Sequence, residues 1–276
     1  SIRRQRQMCI RDRSRLSSYD EKFGAIQGNF RDFGEILSTI GITGLDGLLL
    51  DLGISSRQVD DAERGFSFSK PGPLDMRMDP DAEITAAELI NNCEEEELAR
   101  VFYEYGEERA SRRIASVIVE RRKDKFFECT TDLADLVESI IPRRGKKHPA
   151  TRVFQALRIA VNNELRVLEE ALAEVPKWLR PGGRLVIISF HSLEDRIVKS
   201  YLKRCSRSII DKPEWPEPKQ NPDYCFKLVM QKGVIPTKDE VRDNPRARSA
   251  RLRVAERLPI QVSNTCLLYT SPSPRD

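Results

Sequence analysis

Apolar positions along this chain follow two different periods. Phe33, Ile36, Leu37 and Ile40 fall at the i, i+3, i+4, i+7 spacing of a helix, and Ile114, Val117, Ile118 and Arg121 mark a second such face. Stripes of the same kind predict helices over 94–105, 109–122 and 132–141, with Thr130 or Thr131 as the N-cap of the last. A long stripe, Phe154, Leu157, Val161, Leu165, Leu168 and Leu172, predicts one helix over 149–179, opened by Pro149 and broken near its end by Pro176. Short apolar runs predict buried strands at 23–27, 47–51 and 184–190, the last entered through a tight Pro181-Gly182-Gly183 turn. Ser192 is placed to cap the helix after that strand, with Asp195 three residues on. Two further strands, 226–230 and 252–256, suit an antiparallel pair at the sheet edge. Strand, helix, strand at the start is a parallel crossover, so the fold class is α/β.

The run 47–51 ends on Asp51, and ligands in open parallel sheets bind beyond the carboxyl ends of strands. The segment after Asp51 is dense in polar groups: Ser55, Ser56, Gln58, Asp60, Asp61, Glu63 and Arg64. Gly65, Pro71, Gly72 and Pro73 fix its shape, and Phe66, Phe68, Leu74, Met76 and Met78 anchor it. A loop both polar and anchored carries function more often than a spacer does, although a surface loop with local turn bonds is the competing reading. His191 and Ser192 end the strand 184–190, so a cleft is expected to gather Asp51, Ser55, Gln58, Ser189, His191 and Ser192. Neither Gly-x-Gly-x-x-Gly nor a P-loop occurs, and Gly-x-Ser-x-Gly is absent, which argues against a nucleophile elbow.

Charge alters this picture only locally. The chain is formally +4, but residues 1–15 hold six Arg and one Asp, which leaves the remainder near −1. Global charge therefore does not argue for nucleic acid. A cluster does: Arg143, Arg144, Lys146, Lys147 and His148 run into Arg152 with no acid between 143 and 160. We read it as a phosphate-binding segment, against a solvated charged face. The six cysteines include no C-x-x-C pair and there are only two histidines, so no metal is expected. The cysteines read as reduced, and no run approaches a membrane span. Segments 1–13 and 265–276 show neither apolar period nor turn logic and read as non-native tails.

Several blocks together carry a family resemblance. They are Asp51-Leu52-Gly53-Ile54-Ser55-Ser56, then 60–68 (DDAERGFSF), 72–79 (GPLDMRMD), 148–152 (HPATR), 188–196 (ISFHSLEDR) and 244–249 (NPRARS). From about Phe23 to about Arg257 the chain resembles the RsmH (MraW) family, bacterial enzymes that methylate the N4 amine of a cytidine in the decoding region of 16S rRNA. The resemblance implies a class I methyltransferase (Rossmann-like) sheet with an inserted helical domain, S-adenosylmethionine as donor, 16S rRNA in the small ribosomal subunit as partner, and a cytoplasmic location. It admits a homodimer. By matching position, Phe30, Asp51 and Gln58 would bind the donor. Asp51 and His191 are the candidates for catalysis, and Arg143, Arg144, Lys146, Lys147 and Arg152 for RNA binding. Alternatives are another nucleic-acid amino-methyltransferase or a non-catalytic rRNA-binding module.

The same comparison predicts gaps. Nothing before Phe23 matches, so the first strands of the sheet, the family's Gly-Gly-His donor loop and the acid after its second strand are expected to be missing. The fragment would be inactive by itself. The expected division is 14–83 and 149–264 for the methyltransferase domain and 84–148 for the helical insertion.

Overall fold

The computed structural model describes residues 24–143, 145 and 147–259. Its first element is a single 3-10 turn, Phe30–Asp32, capped by Asn29, whose Oδ1 accepts from the Arg31 N–H at 3.1 Å. Helix α1 (Phe33–Thr39) comes next and lays the Phe33 ring edge-on to Trp178, centroids 6.4 Å apart. Strand β1 (Leu45–Asp51) then enters the sheet. The strand expected over 23–27 is not found: Phe23 lies outside the described residues, and 24–27 form no strand.

Between β1 and the next strand of the sheet the chain is helical: α2 (Ser56–Asp60), α3 (Ala86–Asn92), α4 (Glu95–Glu104), α5 (Ser111–Arg121), α6 (Thr130–Ile140), α7 (Thr151–Asn162) and α8 (Glu164–Trp178). The periodic stripes at 94–105, 109–122 and 132–141 are helices as expected, because their apolar faces share one core. That core takes Leu98, Phe102, Ile114, Ile118, Leu133 and Val137 from α4, α5 and α6. It also draws Phe66, Leu74 and Met76 from the loop after β1, and Val153 and Leu157 from α7, so the helical body packs on residues both before 84 and after 148. The cap of α6 is Cys129, without a side-chain bond, rather than a threonine; Thr130 is already inside the helix, fully buried.

The stripe at 149–179 is two helices, not one. Asn163 takes the left-handed conformation at φ +50°, which closes α7 and opens α8. Asparagine tolerates that region better than other side chains. Pro176 does not end α8, which runs two residues further to Trp178.

Strand β2 (Leu179–Ser189) pairs parallel with β1, Asp51 opposite Ile188. The Pro181-Gly182-Gly183 turn lies inside β2 as an irregularity: the register jumps between Leu45 and Gly47, and Gly182 sits at φ +82°. Helix α9 (Ser192–Cys205) is capped by His191 rather than Ser192, with Glu194 rather than Asp195 closing the box. A two-residue hairpin, β3 (Ile209–Ile210) with β4 (Lys219–Gln220), precedes β5 (Phe226–Leu228), α10 (Lys238–Asp243) and β6 (Arg251–Arg257). The sheet order is β1-β2-β6-β5, with β6 antiparallel to both neighbours, as the pattern of the last two strands predicts. A second core, with Leu168, Leu172 and Val175 of α8, Leu185 and Ile187 of β2, and Val198 and Tyr201 of α9, packs helices on the sheet. Among the described residues β1 is an edge strand, and Leu49 on it is 61% exposed.

Candidate active site

Asp51 ends β1, and its neighbour Leu52 bonds across to β2, Leu52 N–H to Ile188 carbonyl at 3.0 Å. The carboxyl ends of β1 and β2 therefore lie side by side, as the sequence pattern requires. Gly53 turns the chain out of the sheet at φ +89°, a conformation that suits glycine. Ser55 and Gln58 then form a capping box for α2: Gln58 Oε1 accepts from Ser55 N–H at 2.9 Å and Ser55 Oγ at 3.0 Å.

The loop from 61 to 79 is tied down from several sides. Arg64 Nη2 donates to the carbonyls of Arg77 (2.6 Å) and Met78 (3.0 Å). Asn162, at the end of α7, accepts from Met78 N–H at 2.6 Å and donates to the Met76 carbonyl at 2.8 Å. Met76 is fully buried although its φ is +61°, a strained backbone held by these bonds. Gly65, at φ +69°, has no room for a Cβ, which would collide with the Pro73 carbonyl. The anchored loop foreseen from its composition is thus real. Phe68 completes it, edge-on to Phe154 and tilted against His148 with centroids 4.7 and 4.8 Å away.

Two cavities open at the strand ends. The larger, about 1350 Å³, lies between the helical body and the end of β2. Its lining includes Ser189, His191 and Ser192 and the cations Lys147, Arg152, Arg196, Lys199, Arg248 and Arg251, with Glu107, Glu108 and Asp195 among them. The smaller, about 470 Å³, is lined by Phe30, Leu52, Gly53, Asp79, Glu164 and Glu194, with Gly28 and Asn162 beside them.

The expected single cleft is therefore divided. Ser189, His191 and Ser192 line the large cavity and Phe30 the small one, while Asp51, Ser55 and Gln58 line neither. The cause is local: Gly53 swings the chain away, and the capping box turns Ser55 and Gln58 to α2. Asp51 stands exposed at the strand end, next in sequence to Leu52 and Gly53 of the small cavity. Of the basic segment, Lys147 and Arg152 reach the large cavity, and Arg152 lies 3.6 Å from Glu108. Arg143 is exposed and outside its lining; Arg144 and Lys146 lie outside the described residues.

His191 does not offer a ring nitrogen to solvent. Its Nδ1 accepts from the Glu194 N–H at 3.4 Å. Nε2 lies 3.1 Å from Glu194 Oε1 but out of line for a hydrogen bond, and no other partner reaches it. Glu194 Oε2 accepts from the Phe190 N–H at 2.8 Å. Burial pushes the Glu194 carboxyl up, yet His191, the Phe190 N–H and Arg158 outweigh it and hold it below the usual range. Behind it Glu164 is gripped by Arg158 through both oxygens, at 2.7 and 2.8 Å. Burial dominates there and raises the Glu164 carboxyl despite the guanidinium. Glu164, His191 and Glu194 hold ligand atoms within 4.8 Å of one another, close enough for a metal set, but Arg158 already spans the Glu164 carboxylate.

Sequence reasoning missed the acids. Glu194 was visible as the residue three after His191, the position of a capping-box acid. Glu164 and Glu107 carried no such signal: Glu164 meets Arg158 only because the helix breaks at Asn163, and Glu107 meets Arg196 only in three dimensions.

A mixed α/β sheet whose adjacent parallel strand ends meet two adjoining cavities, one acidic and partly apolar, the other basic, defines an α/β protein with its candidate site at the carboxyl ends of its strands. The MraW methylase family model matches residues 1–258, a span that begins upstream of the Phe23 onset expected from the motifs, and the chain belongs to this family. It is 46% identical over 248 residues to the ribosomal RNA small subunit methyltransferase H of Heliobacterium modesticaldum, covering 88% of this chain and 79% of that protein. The like-named protein of Geobacter sulfurreducens is 49% identical over 249 residues, 89% of this chain and 80% of the relative. That of Halothermothrix orenii is 47% identical over 249 residues with the same coverage. Among the described residues no helix is long and apolar enough to cross a membrane.

Proposed function

We propose that this protein transfers the methyl group of S-adenosylmethionine to the N4 amine of a cytidine in 16S rRNA, acting on the small ribosomal subunit in the cytoplasm. The observation that carries the reading is the pair of cavities meeting at the ends of β1 and β2. The smaller suits the donor: its volume falls in the range of small-molecule sites, Phe30 offers a ring face to an adenine, and its acids suit a cationic ligand. The larger suits a polyanion through Lys147, Arg152, Arg196, Lys199 and Arg248.

When bound, the donor supplies an electrophilic methyl group; the protein's part is placement. A cytosine amine is a weak nucleophile because its lone pair is delocalised into the ring. The base must leave its stack to reach the strand ends, where the basic wall holds the flanking phosphates. Asp51, exposed at the end of β1, accepts N–H bonds either from the donor's amine or from the cytosine amine, in the second case restoring nucleophilicity and taking the proton. His191 sets the position of the wall between the cavities: its Nδ1 accepts from the Glu194 N–H and its own N–H donates to Glu194 Oε2. Alignment of amine and methyl supplies much of the remaining acceleration.

The test is methylation of small subunits lacking the modification, using isotope-labelled donor, followed by nuclease digestion and mass spectrometry. Label on a cytidine N4 of 16S rRNA is the expected result. Label on another base, or RNA binding without label, would replace this reading with another amino-methyltransferase or a non-catalytic binding module.

A further inference from the structure

His191 lines the large cavity and Glu194 the small one, and their side chains approach to 3.1 Å. These two residues are therefore a wall common to both cavities. A methyl group that passes from a ligand in one to a ligand in the other must leave from beside that wall. The atom carrying it is a sulfonium, with a full positive charge that vanishes on transfer.

The small cavity is charged to notice that change. Glu194 is 3% exposed and Glu164 is nearly as buried, and both line it. Arg158 answers one of these two carboxylates. His191 Nδ1 accepts from the Glu194 N–H, and the Glu194 carboxylate itself accepts from the Phe190 and His191 N–H groups. Among the described residues, Glu194 is thus the buried acid beside the shared wall whose carboxylate is bonded by backbone N–H groups and by no arginine or lysine. We infer that Glu194, backed by Glu164, is a positioning and selecting group for the donor, favouring the cationic sulfonium ligand over the neutral thioether product. The inference rests on the methyl-transfer reading above and extends it to product release.

The direction of the Glu164 shift agrees. Burial raises the Glu164 carboxyl against the pull of Arg158, so a cationic ligand nearby would favour its ionised form. An ion pair a few ångströms long in a partly desolvated site is worth about tenfold in affinity. The product, having lost the charge, loses that factor and leaves more readily.

Calorimetry on the full chain tests this with three ligands: S-adenosylmethionine, S-adenosylhomocysteine, and sinefungin, which carries an amine in place of the sulfonium. Wild type is expected to bind both cationic ligands about tenfold more tightly than the neutral thioether. Glu194→Gln keeps the acceptor for the Phe190 N–H and removes the charge. It should bring the three affinities within about twofold of one another while changing thioether affinity little. Equal affinity of wild type for all three ligands would overturn the inference without reference to any variant. So would an unaltered preference in a Glu194→Gln protein that still binds the thioether. Binding of none of the three by wild type would instead strike the methyl-transfer reading itself, a different and separately recognisable failure.

Discussion

His191 and Glu194 close on each other twice: Nδ1 of the imidazole accepts from the Glu194 N–H at 3.4 Å, and Nε2 stands 3.1 Å from Glu194 Oε1. A histidine at the end of a strand beside a cleft invites assignment as a proton acceptor. Here both ring nitrogens face one glutamate, and the side chain is 9% exposed. The pair works as a structural hinge-pin between strand β2, helix α9 and both cavities.

Acid should reveal the contribution of Glu194. Its folded carboxyl lies below the ordinary value of 4.5. A depressed carboxyl contributes stability above its unfolded pKa and loses it as pH falls through the folded value. Glu194→Gln should therefore cost about 1–3 kcal/mol at pH 7 and progressively less as pH drops below about 4.5. Urea denaturation of both proteins from pH 3 to 7 checks this. A stability gap that is constant across the range would mean that Glu194 acts through shape and not through charge.

Asp51 is the second residue to test. Asp51→Asn preserves shape and removes the negative charge at the end of β1. We expect methyl transfer to fall by about 10²-fold or more, the range seen when a positioned acid–base group is lost. Steady-state and single-turnover kinetics with independent donor titration separate its two roles. A parallel fall in donor affinity places Asp51 on the donor; unchanged affinity with slowed turnover places it at the amine. Wild-type rates in the variant would remove Asp51 from both.

The contrast between Asp51 and the buried acids shows what a sequence can display. The apolar runs at 47–51 and 184–190 announced adjacent parallel strand ends because a buried strand needs an unbroken apolar run, and Asp51 opposite Ile188 is the result. The helices over 95–104 and 111–121 were equally legible, since each shows one continuous stripe to one core. The stripe through 149–179 hid its own break, because Asn163 in a left-handed conformation leaves the apolar spacing on both sides intact. That break is what swings Glu164 back to Arg158 and into the small cavity. The expected common cleft failed for a related reason. Ser55 and Gln58 look like binding groups by type, yet their spacing equally suits a capping box, and they form one at the start of α2.

The basic wall predicts a salt signature. Lys147 and Arg152 line the large cavity, whereas Arg143 is exposed beyond it. Removing one phosphate-binding cation should lower the slope of log affinity against log salt by about 0.7 for single-stranded RNA. We expect Lys147→Ala with Arg152→Gln to lower it by roughly twice that amount, and Arg143→Ala to leave it nearly unchanged. Filter binding to a 16S fragment between low and moderate salt measures the slopes. Equal effects from all three positions would mean a diffuse charged surface and no defined groove.

Glu107 is the acid that sits against this wall. It joins α4 to α5 at φ +50°, a strained conformation for a glutamate. Its carboxylate accepts from Ser192 Oγ at 2.6 Å and from Arg196 Nη2 at 2.8 Å, so it ties the helical body to the start of α9 across the cavity. The bond from Ser192 leads the effects that hold its carboxyl below the ordinary range, with burial opposing and Arg196 assisting. An ionised group that engages one hydroxyl and one guanidinium occupies them much as a phosphate oxygen would. RNA entering the cavity must therefore compete with Glu107 for Arg196. Glu107→Gln keeps the size and the acceptor for Ser192 but withdraws the charge. The freed Arg196 should strengthen RNA binding about three- to tenfold at low salt, and the salt slope should steepen by about 0.7 as one more phosphate is engaged. Weaker binding with an unchanged slope would show instead that the tie to α9 matters for the shape of the cavity and that its charge does not gate the RNA.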